Sequence, residues 1–129
     1  LYAMEKFRKT MVSIGGITFL FFGLFHMSFW LIFDWKTELL KLNLVNSNLM
    51  QMMNIGIIVM MLALGCVLLF FKRDILNSGL GKAVLFLSAI FFFVRLIAEF
   101  IYPGGSIALG AFLLICSLIY LVPAVVRVR

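Results

Sequence analysis

Four long apolar runs dominate the sequence, and they limit what the chain can fold into. A helix needs about 20 apolar residues to cross the hydrocarbon core of a membrane, and runs of that length occupy about 11–33, 49–71, 81–102 and 106–126. Of the 129 residues, 65% are hydrophobic and 12% are charged, whereas a soluble domain is about half apolar and a quarter charged. The sequence therefore predicts an all-α, polytopic membrane protein: a single domain, residues 1–129, built as a four-transmembrane-helix bundle with short loops.

The amino-terminal segment carries two further expectations. Residues 1–3 precede Met4, and we expect them to be a remnant of an expression vector. A basic start followed by an apolar run is also typical of a secretory signal, but the run at 11–33 is too long for one and no small-residue cleavage site follows it. We therefore expect a retained first transmembrane helix.

The basic residues predict the orientation. With four crossings, both termini and the loop between the second and third spans share one side. That side holds Lys6, Arg8, Lys9, Lys72, Arg73, Lys82, Arg127 and Arg129, and the other side holds Lys36 and Lys41. Because cytoplasmic loops are rich in Lys and Arg, we expect a multi-pass protein of the cell (inner) membrane with both termini cytoplasmic.

Aromatic residues and the net charge fit the same topology. Aromatic rings favour the membrane interfaces, which places Trp30, Trp35 and Tyr102 near the outer interface and Tyr120 near the inner one. The net charge of +6 is explained by orientation and by contact with anionic lipid headgroups. We therefore expect membrane lipid as a partner and no nucleic acid.

A charged pair, Arg95 and Glu99, lies inside the third apolar run. Residues four apart share one face of a helix, and ionisable side chains in a bilayer face protein or water. The pair has two interpretations: it marks a binding site, or it only neutralises itself. In the first, the planar guanidinium of Arg95 anchors an anionic or carbonyl headgroup and Glu99 is its counter-ion.

Other polar residues are predicted at the level of this pair. At about 1.5 Å per residue, His26 and Arg95 each lie about 10 Å from the outer ends of their helices. Nearby, Glu99 would set the tautomer of His26, although an interhelical hydrogen bond explains this histidine equally well. Ser47 or Asn48 is expected to cap the second span, whereas Gln51 and Asn54 lie beyond the cap and need interhelical partners. The polar groups are one-sided, which argues against a channel.

These residues form a candidate pocket in the outer leaflet. The predicted ligand-binding residues are His26, Trp30, Gln51, Asn54, Arg95 and Glu99. The predicted apolar lining beneath them is Phe19, Phe22, Met60, Met61, Phe91 and Phe92. No metal site is predicted, because one histidine without matched ligand spacing is too little and the methionines are typical of adaptable core filler. The sequence contains no catalytic motif and identifies no cofactor, so it leaves enzymatic activity undecided.

The segment at 34–47 is predicted to be interfacial. Its apolar residues Trp35, Leu39 and Leu42 recur at i, i+4 and i+7, with Lys36 and Lys41 off that face. Such a pattern is typical of a short amphipathic helix lying on the membrane surface. It would roof the pocket, or it would serve only as a connector.

The order of the spans resembles a known family. The stretch GGITFLFFGLFH (residues 15–26) closes the first helix, and a helix with a polar start follows. In topology the chain is similar to the DoxX-like small four-helix membrane proteins, which would imply an accessory or quinone-linked redox role. Two functions are therefore open: binding of an amphiphile such as a lipid or quinone, or service as a non-enzymatic accessory or structural subunit, with a protein partner or as a homo-oligomer.

Overall fold

The computed structural model describes residues 1–126, and helices make up nearly all of that part of the chain. The four long helices are α1 (Tyr2–Met27), α4 (Leu44–Phe70), α6 (Gly79–Ile101) and α7 (Ile107–Val125). The short ones are α2 (Phe29–Ile32), α3 (Trp35–Glu38), a 3-10 helix (Leu39–Lys41) and α5 (Lys72–Asn77). Each of the four long helices is long and apolar enough to cross a membrane. This confirms the predicted all-α, four-helix membrane fold. Arg127 and Arg129, two of the basic residues used to predict the orientation, lie outside the described residues.

The first long helix ends earlier than the apolar run that encodes it. Its last residue is Met27, and the amide of Ser28 donates to the carbonyls of Leu24 and Phe25 at 3.3 and 3.0 Å. Residues 29–32 then form the separate helix α2, after which Asp34 takes a left-handed conformation with φ of +46°. Apolar composition predicts burial in the membrane, but it does not locate this break.

The second long helix starts earlier than predicted. Asn43 is its N-cap, and the Asn43 side-chain oxygen accepts from the amide of Asn46 at 2.8 Å. The expectation that Ser47 or Asn48 caps this helix was wrong, because Asn43 satisfies the first amides one turn earlier. Leu44 and Val45 therefore belong to the helix rather than to the connector.

The long helices pack in the order α4, α1, α7, α6. Helix α1 lies along α4 and α7, and α6 lies along α7, whereas within residues 1–126 α4 and α6 do not pack along each other. Glycines allow α1 and α4 to approach closely, since a Cβ at Gly65 would lie 2.9 Å from the carbonyl oxygen of Gly16. The bundle is thus closed on three sides and open between α4 and α6.

Aromatic rings fill the centre of the bundle. Tyr120 stacks on Phe92 with ring centroids 5.3 Å apart, and Phe19 lies 4.8 Å from the Tyr120 ring. The side chain of Tyr120 is fully buried in this core, and its predicted place near the inner interface stays a prediction. Its hydroxyl donates to the carbonyl of Gly15 at 2.7 Å, which satisfies the polar tip inside an apolar core.

Arg8 identifies the elements that share one end of the bundle. Its Nε and Nη2 donate to the carbonyl of Pro123 in α7, each at 3.3 Å, and Nη2 also donates to that of Leu76 in α5 at 3.4 Å. The start of α1, helix α5 and the end of α7 therefore meet there. We call this the Arg8 end, and the opposite end, which holds His26, the His26 end.

Candidate functional site

A pair of hydrogen bonds joins α1 to α4 at the His26 end. Asn54 is buried in α4, its Oδ1 lies 2.9 Å from Nδ1 of His26, and its Nδ2 donates to the backbone carbonyl of His26 at 3.0 Å. Asn54 was predicted to need a partner on another helix, and that partner is His26. Both the ring and the backbone of His26 are held by one side chain.

Arg95 and Glu99 form the ion pair that their spacing predicts. Arg95 Nη1 lies 2.7 Å from Glu99 Oε2, and Glu99 Oε1 accepts from the amide of Ser106 at 3.1 Å. The side chain of Glu99 is 11% exposed, whereas that of Arg95 is 47% exposed. Arg95 therefore has its charge neutralised within its own helix and still leaves half of its side chain accessible.

The expected contact between Glu99 and His26 was wrong. Among the described residues Glu99 bonds Arg95 and Ser106, while Asn54 holds the histidine ring. The reason is geometric: the Glu99 carboxylate reaches the α6–α7 turn, and its Arg95 partner stands one turn closer to the bundle centre. Glu99 accordingly lines a separate depression beside Tyr102 and the turn.

A cavity of about 360 Å³ brings His26 and Arg95 to one surface. Its apolar lining comes from α1, α2, α4, α6 and α7. The lining residues are Phe22, Phe25, His26, Phe29, Phe33, Ile57, Met61, Phe91, Phe92, Arg95, Leu109 and Leu113. We call it the upper cavity. Two groups with hydrogen-bonding capacity thus face a space that is otherwise hydrocarbon.

A second cavity of about 290 Å³ lies between α4 and α6. It is lined by Phe19, Met60, Met61, Leu64, Val84, Leu87, Ser88 and Phe91. Met61 and Phe91 line both cavities, so this lower cavity is the neighbour of the upper one. The one hydroxyl in its lining, that of Ser88, donates to the carbonyl of Val84 at 2.7 Å, which leaves an apolar space.

The predicted apolar lining lies in these two cavities, but four of the six predicted ligand-binding residues are not part of their lining. Asn54 and Glu99 make the contacts described above, and Gln51 and Trp30 lie elsewhere. Gln51 donates to the carbonyl of Ser47 in its own helix at 3.3 Å, so the expected interhelical partner of Gln51 was wrong. Trp30 is 46% exposed, and its ring lies 6.4 Å from that of Trp35. The structure does not bring either side chain to His26 or Arg95.

Three aromatic residues of the site were missed at the sequence level. Phe25, Phe29 and Phe33 line the upper cavity, and the ring of Phe29 lies 4.3 Å from that of His26. With Phe22 they recur every three or four residues, the spacing of one helical face. In a chain with 15 phenylalanines that signal does not stand out.

The interfacial segment supports this aromatic group. Trp35 and Leu39 are buried, as the predicted amphipathic face requires, whereas Leu42 is largely exposed. The ring of Trp35 meets that of Phe29 edge-on at 5.7 Å. Helix α3 therefore packs on Phe29, whose ring lies against His26, and the buried part of the segment ends at Leu39.

The site suits noncovalent recognition of a molecule with a small polar head. Within residues 1–126 no group of three or more His, Cys, Asp or Glu side chains is placed to hold a metal ion. His26 and Arg95 offer hydrogen bonds at one end of an apolar space, and the ion pair with Glu99 leaves little net charge there. An apolar space with a few polar groups at one end is typical of small-molecule sites.

Comparison with models of known protein families, with curated proteins and with solved structures found no match to this chain. The functional inference therefore depends on the geometry of the site.

Proposed function

We propose that this protein binds an amphiphilic ligand, such as a lipid or a quinone-like molecule, in the neighbouring upper and lower cavities. The distribution of polar groups in the cavities supports this proposal most. His26 and Arg95 lie at one end, and the remaining lining is apolar. The head would lie against His26 and Arg95, and the tail would pass Met61 and Phe91 into the lower cavity. The volume of the upper cavity, about 360 Å³, falls in the usual range for small-molecule sites.

The same proposal includes a location. The basic residues at the Arg8 end are Lys6, Arg8, Lys9, Lys72, Arg73 and Lys82. Lys36 and Lys41 lie in the connector at the His26 end. By the preference of Lys and Arg for cytoplasmic loops, the Arg8 end faces the cytoplasm of a cell membrane with both termini. The upper cavity then opens in the outer leaflet.

A second candidate is an accessory or structural subunit of a membrane complex, and the open side between α4 and α6 supports it. A helix of a partner protein would cover the same apolar side chains that line the lower cavity. The resemblance to DoxX-like proteins stays a prediction and would make such a complex redox-linked. In this alternative the polar side chains of the site only hold helices together. They are Asn54, His26, Arg95 and Glu99.

Native mass spectrometry of gently extracted protein tests the first proposal. We expect a bound lipid or quinone that is lost in Val84→Trp, because the new ring fills the lower cavity that Val84 lines. Val59→Trp is the matched control. Val59 lies in α4, one of the two helices that border the lower cavity, but it is 63% exposed and lines neither cavity. If the wild-type protein keeps no amphiphile, rebinds none and loses no stability on delipidation, the subunit function replaces ligand binding.

A further inference from the structure

The two bonds of Asn54 fix which way its amide points. Its Nδ2 lies 3.0 Å from the His26 carbonyl, and its Oδ1 lies 2.9 Å from the His26 Nδ1. A reversed amide would set two oxygens against each other at the carbonyl, because neither a carbonyl nor an amide oxygen carries a proton. The orientation with Nδ2 at the carbonyl is the one in which both contacts are hydrogen bonds.

This orientation fixes the tautomer of the ring. The Asn54 Oδ1 only accepts, so the His26 Nδ1 must donate. In the neutral imidazole the proton then lies on Nδ1, and Nε2 carries a lone pair. Asn54 therefore sets the tautomer of His26, the role that was expected of Glu99, and it does so without adding a charge.

The Nε2 atom of His26 is accessible, and the residue lines the upper cavity. Within residues 1–126 no buried side-chain nitrogen or oxygen lacks a hydrogen-bond partner, and His26 is only half-buried. The hydrogen bond of its ring is made at Nδ1 to Asn54, so an Nε2 with no bond from the described residues has to be accessible. It is an acceptor without a protein donor.

Arg95 presents the complementary group. Glu99, at 2.7 Å, neutralises its charge, yet the Arg95 side chain lines the upper cavity and stays half accessible. A guanidinium has five N–H donors, and the ion pair uses only some of them. An anionic head bound to the remaining donors would be repelled by the nearby Glu99 carboxylate, whereas a neutral oxygen would not.

Resting on the amphiphile binding proposed above, we infer that the ligand has an uncharged head that carries a hydroxyl. The hydroxyl donates to Nε2 of His26, and a second oxygen of the head accepts from Arg95. Asn54 is a positioning residue: it holds the imidazole in the tautomer that accepts. This selects hydroxylated heads, such as those of monoacylglycerols and alkyl hydroquinones, over fatty acid anions and over amphiphiles without a donor.

Amphiphiles that share the same tail and differ in the headgroup test this inference. Binding of monolaurin, its dimethyl ether and laurate is measured by equilibrium titration of the full chain in lipid nanodiscs. We expect monolaurin to bind about 3–10-fold more tightly than its ether, the value of one hydrogen bond, and laurate to bind no better than the ether. In His26→Phe the preference for monolaurin over its ether should fall to about one. An alkyl hydroquinone and its dimethyl ether repeat the comparison for the second source of a hydroxyl.

A spectroscopic measurement on the wild-type protein tests the tautomer without any variant that must fold. The chain has one histidine, so ¹⁵N-histidine labelling gives one pair of ring resonances. We expect a protonated Nδ1 and an unprotonated Nε2, with the Nε2 resonance moving when monolaurin is added and not when its ether is added. In Asn54→Leu the preference for the Nδ1–H tautomer should be lost.

The outcomes separate the two proposals. Absence of binding by every probe would overturn amphiphile binding and the headgroup inference together. Binding of the ether as tight as that of monolaurin, tightest binding by laurate, or a proton on Nε2 of the free protein would overturn the headgroup inference and leave amphiphile binding standing.

Discussion

Asn54 and His26 meet through two hydrogen bonds of nearly equal length, one to the ring and one to the backbone carbonyl. His26 lies in the last turn of α1, where helix carbonyls have no partner within the helix. Asn54 satisfies one of these carbonyls from the neighbouring helix. The same side chain thus binds a carbonyl in the last turn of α1, joins α1 to α4 and orients the imidazole.

Replacement of Asn54 should destabilise the bundle. We expect Asn54→Leu to lower the free energy of unfolding by about 1–3 kcal/mol, because it leaves a buried carbonyl and a ring nitrogen without partners. Gln51→Leu, one turn earlier, is the matched control and should cost less than about 0.5 kcal/mol, since Gln51 bonds only its own helix. Unfolding in detergent micelles, followed by helical circular dichroism, gives both values. Equal losses would show that the interhelical bonds contribute nothing.

The ion pair should behave as a unit. We expect Arg95→Ala to lower the Tm more than the double variant Arg95→Ala with Glu99→Gln, because the single change leaves the carboxylate without its cation. Glutamine keeps the oxygen that accepts from the Ser106 amide, so the α6–α7 turn is preserved in the double variant. Thermal unfolding of the three proteins checks this. A double variant no more stable than the single one would mean that Arg95 and Glu99 do not interact.

Because α1 and α4 approach closely, replacement by alanine should destabilise the protein at one glycine of α4 and not at another. In Gly65→Ala the new Cβ would lie 2.8 Å from Leu20 side-chain carbons and 2.9 Å from the Gly16 carbonyl oxygen, which we expect to cost about 1–3 kcal/mol. Gly56→Ala meets nothing within 4 Å and should gain up to about 1 kcal/mol from helix propensity. The order of the two unfolding midpoints tests the packing, and a reversed order would contradict it.

Labelling of engineered cysteines tests the proposed orientation. In a background with Cys66 and Cys116 replaced by alanine, we expect an impermeant maleimide to label Leu40→Cys on intact cells and to label Asn77→Cys only after lysis. Both positions are exposed in connectors at opposite ends of the bundle, and neither is a capping residue. The opposite pattern would place the His26 end in the cytoplasm.

Much of the fold follows from apolar length, which any helix that crosses a membrane needs. The number of long helices can therefore be predicted from the sequence without tertiary information. The ion pair emerges as well, since Arg95 and Glu99 belong to one helix and their spacing alone brings them together.

Contacts between helices are different, because they depend on rotation about each helix axis. Depth in the membrane placed His26 near Glu99, yet the rotation of α1 turns the imidazole towards Asn54. Rotation likewise leaves Gln51 bonded within α4. The burial of Tyr120 also depends on a neighbouring helix, because Gly15 makes room for the ring and supplies the acceptor for its hydroxyl.

The unpacked side between α4 and α6 has a consequence for how binding to this protein must be measured. Because the lower cavity opens between those two helices, a ligand would reach it from the hydrocarbon of the bilayer. Its effective concentration is then its mole fraction among the membrane lipids. Every bulk lipid is a competitor with an apolar tail of its own. Affinity should therefore vary with the amount of lipid in the assay at constant aqueous ligand, and selectivity has to come from the head.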